Sequence, residues 1–328
     1  MARIGLWVSE GCMFSSVTML LDAFSIANLW HKTLTKKESP ALFEALILTT
    51  DGLPVTAHGG IRIQPDRAVG QVEQADCIVI SPFLPNVAPM PANLDILFQW
   101  IKTMRQQGTS IASVCTGTFI LAEMGLLDGK RATTNWQYAR MFKARYPKVR
   151  LTPEEMMTED DGFICTGAAT AVYYLGLHFI KQFGSQKLAS VCSKALLVDP
   201  NRGSQAPYSI FVPIKHHGDT QVLKAQQLIE ENYAKINAID AVAGAVGISP
   251  RHFKRRFKHA TSELPLKYLQ RVRIDAAKEK LETTKDSIDE ITWAVGYQDI
   301  SSFSRLFKQH TQISPRAYRD KFFSPAPR

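Results

Sequence analysis

An α/β N-terminal sandwich followed by an all-α C-terminal domain with two helix-turn-helix motifs is the fold class that the sequence predicts, and three observations predict it. Over the first ~200 residues, short β-branched apolar runs alternate with amphipathic segments, the pattern of a layered α/β domain. Around Pro200 this texture stops, in the Pro-, Gly- and Asn-rich stretch "DPNRGSQAPYSIFVPIKHHGDT". Beyond it the apolar period is helical to the end, and one 16-residue segment recurs at a constant offset of 50 residues.

The bulk composition agrees. A chain of 328 residues has room for two or three cores, and 45% hydrophobic with 21% charged residues is a globular balance. The opening "MARIGLWVSEG" lacks the apolar core of a signal peptide. No run of about 18 uncharged apolar residues occurs, so no membrane span is expected and the expected location is cytoplasmic. Cys12, Cys77, Cys115, Cys165 and Cys192 are odd in number and far apart. That spacing suggests neither zinc nor a disulfide framework, and no cofactor is expected.

Taken in order, "RIGLWV" (Arg3–Val8), "FEALILTT" (Phe43–Thr50), "CIVIS" (Cys77–Ser81), "SIASV" (Ser110–Val114) and "FICTG" (Phe163–Gly167) read as buried parallel strands. The segments "SVTMLLDAFSIANLW", "LDILFQWIKTMRQQG" and "AATAVYYLGLHFIKQF" read as the helices between and after them. Residues 1–205 form this domain, 206–221 a linker, and 222–328 the helical domain. In the latter, "TQVLKAQQLIEENY" and "LPLKYLQRVRIDAAKEKLETT" carry helical spacing. "DSIDEITWAVG" opens with Ser287 and Glu290 three residues apart, a capping box.

Charge follows the same division. Thr220–Arg328 holds 19 Lys+Arg against 12 Asp+Glu, a balance of +7 out of +9 for the whole chain. A basic excess confined to one domain points to a polyanionic partner.

The repeat gives that partner a geometry. "FKRRFKHATSELPLKY" (Phe253–Tyr268) and "FSRLFKQHTQISPRAY" (Phe303–Tyr318) share seven of 16 positions. Each follows an apolar helix ending in Val-Gly, at Val246-Gly247 and Val295-Gly296. Helix, Gly-containing turn, helix is the helix-turn-helix pattern, here present twice. In the first copy Ser249 suits the cap and Pro250 the first turn. Phe253 and Phe257 face the core four residues apart, leaving Arg251, Lys254, Arg255 and Lys258 outward. In the second, Asp299 or Ser301 can cap, Phe303 and Phe307 face inward, and Ser301, Ser302, Ser304 and Arg305 face out. A short helix with an aromatic inner face and a polar outer face suits a major groove. The less cationic second helix is expected to read bases lightly or to rely on DNA shape.

Residues from about 222 to 320 resemble the AraC/XylS family of transcription regulators, through "VAGAVGISPRHFKRRFK", "ITWAVGYQDISSFSRLFKQHTQISPRAYR" and the helix "YLQRVRIDAAKEKL" between them. The resemblance implies seven helices, with two helix-turn-helix subdomains joined by one helix, reading successive major-groove segments of double-stranded promoter DNA. It implies Arg251, Lys254, Arg255, Ser301, Ser302 and Arg305 as base readers, with His252 and Lys258 on phosphates or flanks.

The first ~205 residues resemble the PfpI-like, class I glutamine amidotransferase-like fold, a flavodoxin-like sandwich. The resemblance rests on "IGLWV", "SVCTG", "GLLDGKRATTN", "CTGAATAVYYLGLHFI" and "DPNRGSQAPY". Fused to an AraC-type domain, this is the architecture of GlxA-like regulators. It implies a sensor of amino acids, betaines or related nitrogen compounds, and a homodimer.

The elbow at Cys115 leaves a second reading open. A cysteine between strand and helix is a common nucleophile position. Enzymes with this fold place a His directly after that Cys or about 20 residues on, where this chain has Thr116 and Asn135. Ser15 and Ser16 stand near the place of an assisting carboxylate, with only Glu10 nearby, and "SPFLPN" replaces a Gly-rich oxyanion loop. His178, His58, His216 and His217 are the substitutes to weigh. The expected function is a DNA-binding transcriptional regulator, not an enzyme, with Cys115, Thr116, Gly117 and Asn135 lining the effector pocket and no metal. The alternative is a Cys115-dependent hydrolase, amidase or isonitrile-hydratase-like enzyme with a DNA-binding appendage. A nucleoid-type structural protein is a third reading, disfavoured by the modest charge and the unequal outward faces of the two helices.

Overall fold

The computed structural model describes residues 1–35, 40–86 and 89–324, and the chain divides into two compact units, Met1–Gln205 and Ala206–Arg328. In the first, the strands are β1 (Ala2–Trp7), β2 (Phe43–Thr49), β3 (Val55–Thr56), β4 (Arg62–Ile63), β5 (Arg67–Ala68), β6 (Cys77–Ile80), β7 (Ser110–Val114), β8 (Arg131–Ala132), β9 (Arg150–Leu151), β10 (Met157–Asp160) and β11 (Phe163–Thr166). Its α-helices are α1 (Ser15–Thr35), α2 (Leu94–Gln106), α3 (Gly117–Glu123), α4 (Ala139–Arg145), α5 (Val172–Phe179) and α6 (Gln186–Ala195).

Seven strands form one sheet in the order β10-β11-β7-β6-β1-β2-β5. All pairs are parallel except β10 with β11. The chain winds outward in both directions from the β1–β6 pair, as in doubly wound folds. The five strands read from the sequence lie side by side in this sheet. The short strands β3, β4, β5, β8, β9 and β10 were not expected, because segments of two to four residues carry no readable period. Alternation along the strands feeds two cores. Ile4, Leu6 and Val8 join Leu20 and Phe24 of α1 and Phe179 of α5. Trp7, Ile78 and Ile80 join Trp100 of α2, Phe119 of α3 and Phe142 of α4.

The second unit has seven α-helices among the described residues: α7 (Thr220–Asn232), α8 (Ile239–Ala245), α9 (Pro250–Thr261), α10 (Pro265–Thr283), α11 (Ile288–Ala294), α12 (Ile300–Thr311) and α13 (Pro315–Phe322). The pairs α8–α9 and α11–α12 are the two helix-turn-helix motifs, turning at Gly247 and Gly296, whose φ values are 72° and 87°. Ser287 and Glu290 form the expected capping box on α11. Asp299, rather than Ser301, caps α12, accepting from the Ser302 amide at 2.7 Å. The repeat extends to tertiary bonds: Tyr268 donates to Glu230, and Tyr318 to Glu282. Phe253 and Phe257 fill one small core, Phe303 and Phe307 the other.

The segment assigned to a linker packs on the second unit. Phe211 joins its first core, and Lys278 donates to the carbonyl of Ser209. The two cores are joined through α10. Arg273, only 9% exposed, donates to the carbonyls of Tyr233 at 2.9 Å and Ile236 at 2.7 Å, and its guanidinium lies 5.1 Å from the Tyr297 ring centre. Replacing Arg273 with Met orphans both carbonyls, and hydrogen bonds to a charged group are each worth about 1.5–3 kcal/mol. Native-state hydrogen exchange of the full chain should show amides of α10 and α11 exchanging about 100-fold faster in this variant. Unchanged protection would mean that the guanidinium does not hold the subdomains together.

Candidate nucleic-acid interface and cysteine elbow

Pro250 and Ser249 start α9 where the sequence placed it, although the Ser249 hydroxyl makes no cap bond. Phe253, Phe257 and Thr261 are buried, and Arg251, His252, Lys254, Arg255 and Lys258 are all exposed. Their common placement follows from the helical period: with the two Phe fixed inward, the cations have only the outer arc left. Lys254 lies 3.0 Å from Asp240 of α8, an exposed pair that a phosphate or base could replace at little cost. Arg256 differs from its neighbours. Its Nε and Nη2 bind both carboxylate oxygens of Asp219 at 2.9 and 2.7 Å, tying α9 to the cap of α7. The outward sign of this pair in the sequence is limited to Asp219 standing just before a helical period.

On α12, Ser301 and Arg305 are exposed and Ser302 is half-buried. Ser302, through its hydroxyl and then its amide, holds the Asp299 carboxyl below the ordinary carboxylate range. The Ser302 amide makes the cap bond, and Ser301 and Arg305 are the exposed members of the expected set.

The elbow is equally definite. Cys115 has a φ of 56°, a left-handed conformation that a non-glycine residue holds at a cost of about 1–3 kcal/mol. Several bonds impose it. The Cys115 amide donates to the Thr166 carbonyl at 3.0 Å, and its own carbonyl accepts from the Thr134 hydroxyl at 2.7 Å. The Thr116 hydroxyl is bonded to the carbonyl of Phe83 and accepts from the Phe83 amide at 3.1 Å. A Cβ on Gly117 would stand 2.6 Å from the Ile80 carbonyl oxygen, so only glycine fits. Thr116 and Gly117 are thus built into the interior. Cys115 as a residue is half-buried, with its sulfur closely surrounded.

Burial pushes the Cys115 thiol above its ordinary range, and the side chain of Asn135 and the amides of Thr116 and Ala169 oppose this without overcoming it. The structure brings Cys115, Thr116 and Asn135 together, as expected. The groups acting most on the thiol are Asn135, Thr116 and Ala169. His178 lies 3.9 Å from Glu159, and His217 is bonded to Gln226 in the helical unit. Glu10 accepts from the Thr56 amide at 2.8 Å, and Ser16 donates to the Met13 carbonyl at 2.9 Å. A thiolate is activated by a helix N-terminus, a base or a positive neighbour; the start of α3 follows Cys115, and the first side chain acting on the thiol is the neutral Asn135. The space beside Ser16 and Ser81 under Val114 measures about 10 Å³, room for one water at most.

One residue behind the elbow was missed by the sequence reading. Gln205, 2% exposed, donates to the carbonyl of Thr134 at 2.8 Å and to the Thr133 hydroxyl at 3.3 Å, and accepts from the Ala168 amide at 3.2 Å. It lies in an irregular stretch, where no period marks a polar residue as interior.

Two outcomes are expected. In alkylation of the full chain, the signal lost in Cys115→Ser should be slower than that of free cysteine at pH 7.5 and still rising above pH ~9, since the folded thiol titrates above its ordinary value. A midpoint at or below ~8.5 would restore a reactive nucleophile. Gln205→Leu leaves several buried partners unpaired and should lower the stability of the α/β unit by about 2 kcal/mol or more in thermal or urea melts.

Comparison with known proteins agrees with both halves. Residues 17–182 match the DJ-1/PfpI family, and residues 242–321 match a helix-turn-helix domain. The HTH-type transcriptional regulator CdhR of Pseudomonas aeruginosa is 27% identical over 90% of this chain and 84% of its own length. The HTH-type transcriptional regulator GbdR of the same species is 25% identical over 92% of this chain and 83% of its own. The crystal structure of an AraC family transcriptional regulator from Pseudomonas putida superposes with a TM-score of 0.50 at 19% identity, covering 60% of this chain and all of that one. The chain belongs to the DJ-1/PfpI family, and it carries an AraC-type helix-turn-helix domain at its C-terminal end.

Proposed function

We propose that this protein is a sequence-specific DNA-binding transcriptional regulator whose α/β unit senses a small metabolite. The observation that carries this reading is the pair of helix-turn-helix motifs built on one helix, α10, each with the outer face of its second helix exposed. The relatives that span most of the chain are named as transcriptional regulators, which supports the same reading. Arg251, Lys254 and Arg255 of α9 and Ser301, Ser302 and Arg305 of α12 read base edges. His252 and Lys258 lie along phosphates. In the α/β unit, Cys115 and Asn135 face the effector, on a wall formed by Thr116 and Gly117. Amino acids, betaines and related nitrogen compounds are the first effectors to try. The unit also dimerises the protein, which acts in the cytoplasm. Among the described residues no helix is long and apolar enough to cross a membrane. The enzymatic alternative is disfavoured by a thiol held protonated, with the neutral Asn135 the first side chain acting on it.

Titration of promoter DNA at several salt concentrations tests the assignment. Arg255→Ala should weaken specific binding by about 1–3 kcal/mol and relax preference at one base position. Lys258→Ala should weaken all sequences alike and reduce the salt slope by about one. Binding indifferent to both sequence and Arg255 would count against the reading.

A further inference from the structure

The duplication inside the helical unit shows one place where the two copies part. In the first copy, the groove between α9 and the start of α7 is closed by Arg256 on Asp219, with Gln221 also bonded to the guanidinium. In the second copy α10 takes the place of α7, in a register set by the matching bonds Tyr268–Glu230 and Tyr318–Glu282. Leu306 then stands where Arg256 stood, and Arg271 where Asp219 stood. The ion pair that fills the first groove has no counterpart in the second. A half-open cavity of about 430 Å³ lies there, bordered by α10, by Leu306 and His310 of α12, and by Ser209–Phe211. That volume is in the range of small-molecule sites.

Its lining is cationic at one side and apolar at another. Lys267, Arg271 and Lys278 line it with His310, against the two carboxylates Glu263 and Asp275. Glu263 is engaged by Arg271 at 3.4 Å, and Asp275 accepts from the Phe211 amide at 3.4 Å. Lys278 is committed to the Ser209 carbonyl. Lys267 is exposed and His310 half-buried, and both line the space. Phe211, Ile274 and Leu306 supply apolar wall. The geometry points to a ligand site in the helical unit for a small organic anion. Its carboxylate or phosphate group sits against Lys267, Arg271 and His310, and its compact apolar body against Leu306, Ile274 and Phe211. The site is separate from the elbow and does not depend on the sensing role proposed for the α/β unit. Burial, then Arg271, Lys267 and Lys278, hold His310 below the ordinary imidazole range, as a local excess of positive charge does. A bound anion reverses that field and raises the His310 titration midpoint.

Phenylacetate and phenyl phosphate are suitable probes on the full chain, with neutral phenylacetamide as control. They are followed by calorimetry and by NMR of the histidine ring resonances. The expected result is saturable one-to-one binding of at least one anion, no binding of the amide, and an upward shift of the His310 midpoint on saturation. The two anions separate a carboxylate from a phosphate preference. Lys267→Gln, at an exposed position, should weaken binding at least fivefold with the fold unchanged, and Leu306→Trp should abolish it by filling the cavity. Binding of neither anion below about 10 mM overturns the proposal, as does binding that is indifferent to Lys267→Gln. Loss of DNA affinity in Lys267→Gln with no anion binding would make Lys267 a phosphate contact and also overturn it.

Discussion

The buried guanidinium of Arg273 joins the two helix-turn-helix subdomains. It sits on α10, the helix shared by both subdomains, and reaches back to the Tyr233 and Ile236 carbonyls that follow α7 while lying against the ring of Tyr297 beyond α11. A lysine could offer one point charge here but not the planar fork that meets two carbonyls and a ring together. Gly296 completes the junction: its φ is 87°, and a Cβ there would stand 2.5 Å from the Ala234 carbonyl oxygen. The turn of the second motif is therefore pressed against the first subdomain. Burial lowers the proton affinity of Arg273, but a guanidinium stays charged in proteins, and its carbonyl partners are what make the burial tolerable.

The elbow follows a different logic. Its backbone is the strained one that displays a nucleophile in enzymes, yet the bonds that impose the strain are structural. Thr116 is spent on Phe83, Thr134 on the Cys115 carbonyl, and Gln205 locks the Thr133–Thr134 strand end from behind. What a catalytic version needs in addition is a base, and Asn135 stands at the thiol instead. An amide can donate to sulfur or accept from it but cannot carry a proton away. The geometry of the fold is kept by groups independent of those that would do chemistry, so one can be lost without the other.

Most of this was legible in the sequence because it is periodic. The five parallel strands, the long helices and the twin motifs each leave a repeating apolar signature, and the inward Phe pairs fix by elimination which cations face out. The capping box of Ser287 and Glu290 was legible because its chemistry is local. The remainder involves partners far apart in the chain. Nothing near Gln205 announces Thr134, and nothing near Arg256 announces Asp219. The segment 206–221 read as a linker because it lacks period, and its attachment through Ser209 and Phe211 depends on side chains about 65 residues away.

That attachment bears on how a signal would travel. An effector shifts DNA binding only if it favours one arrangement of the chain over another, and a slack tether would absorb most of any change at its end. Gln205, which anchors the elbow, is followed at once by residues fastened to α10: Ser209 by Lys278, and Phe211 by Asp275 and by Arg271 stacked 4.3 Å from its ring centre. These fasteners lie on the same helix as Arg273. The fastening of residues 209–211 comprises one charged hydrogen bond, one hydrogen bond from a backbone amide and one cation–π contact. Together these amount to a few kcal/mol, about the size of ordinary allosteric coupling.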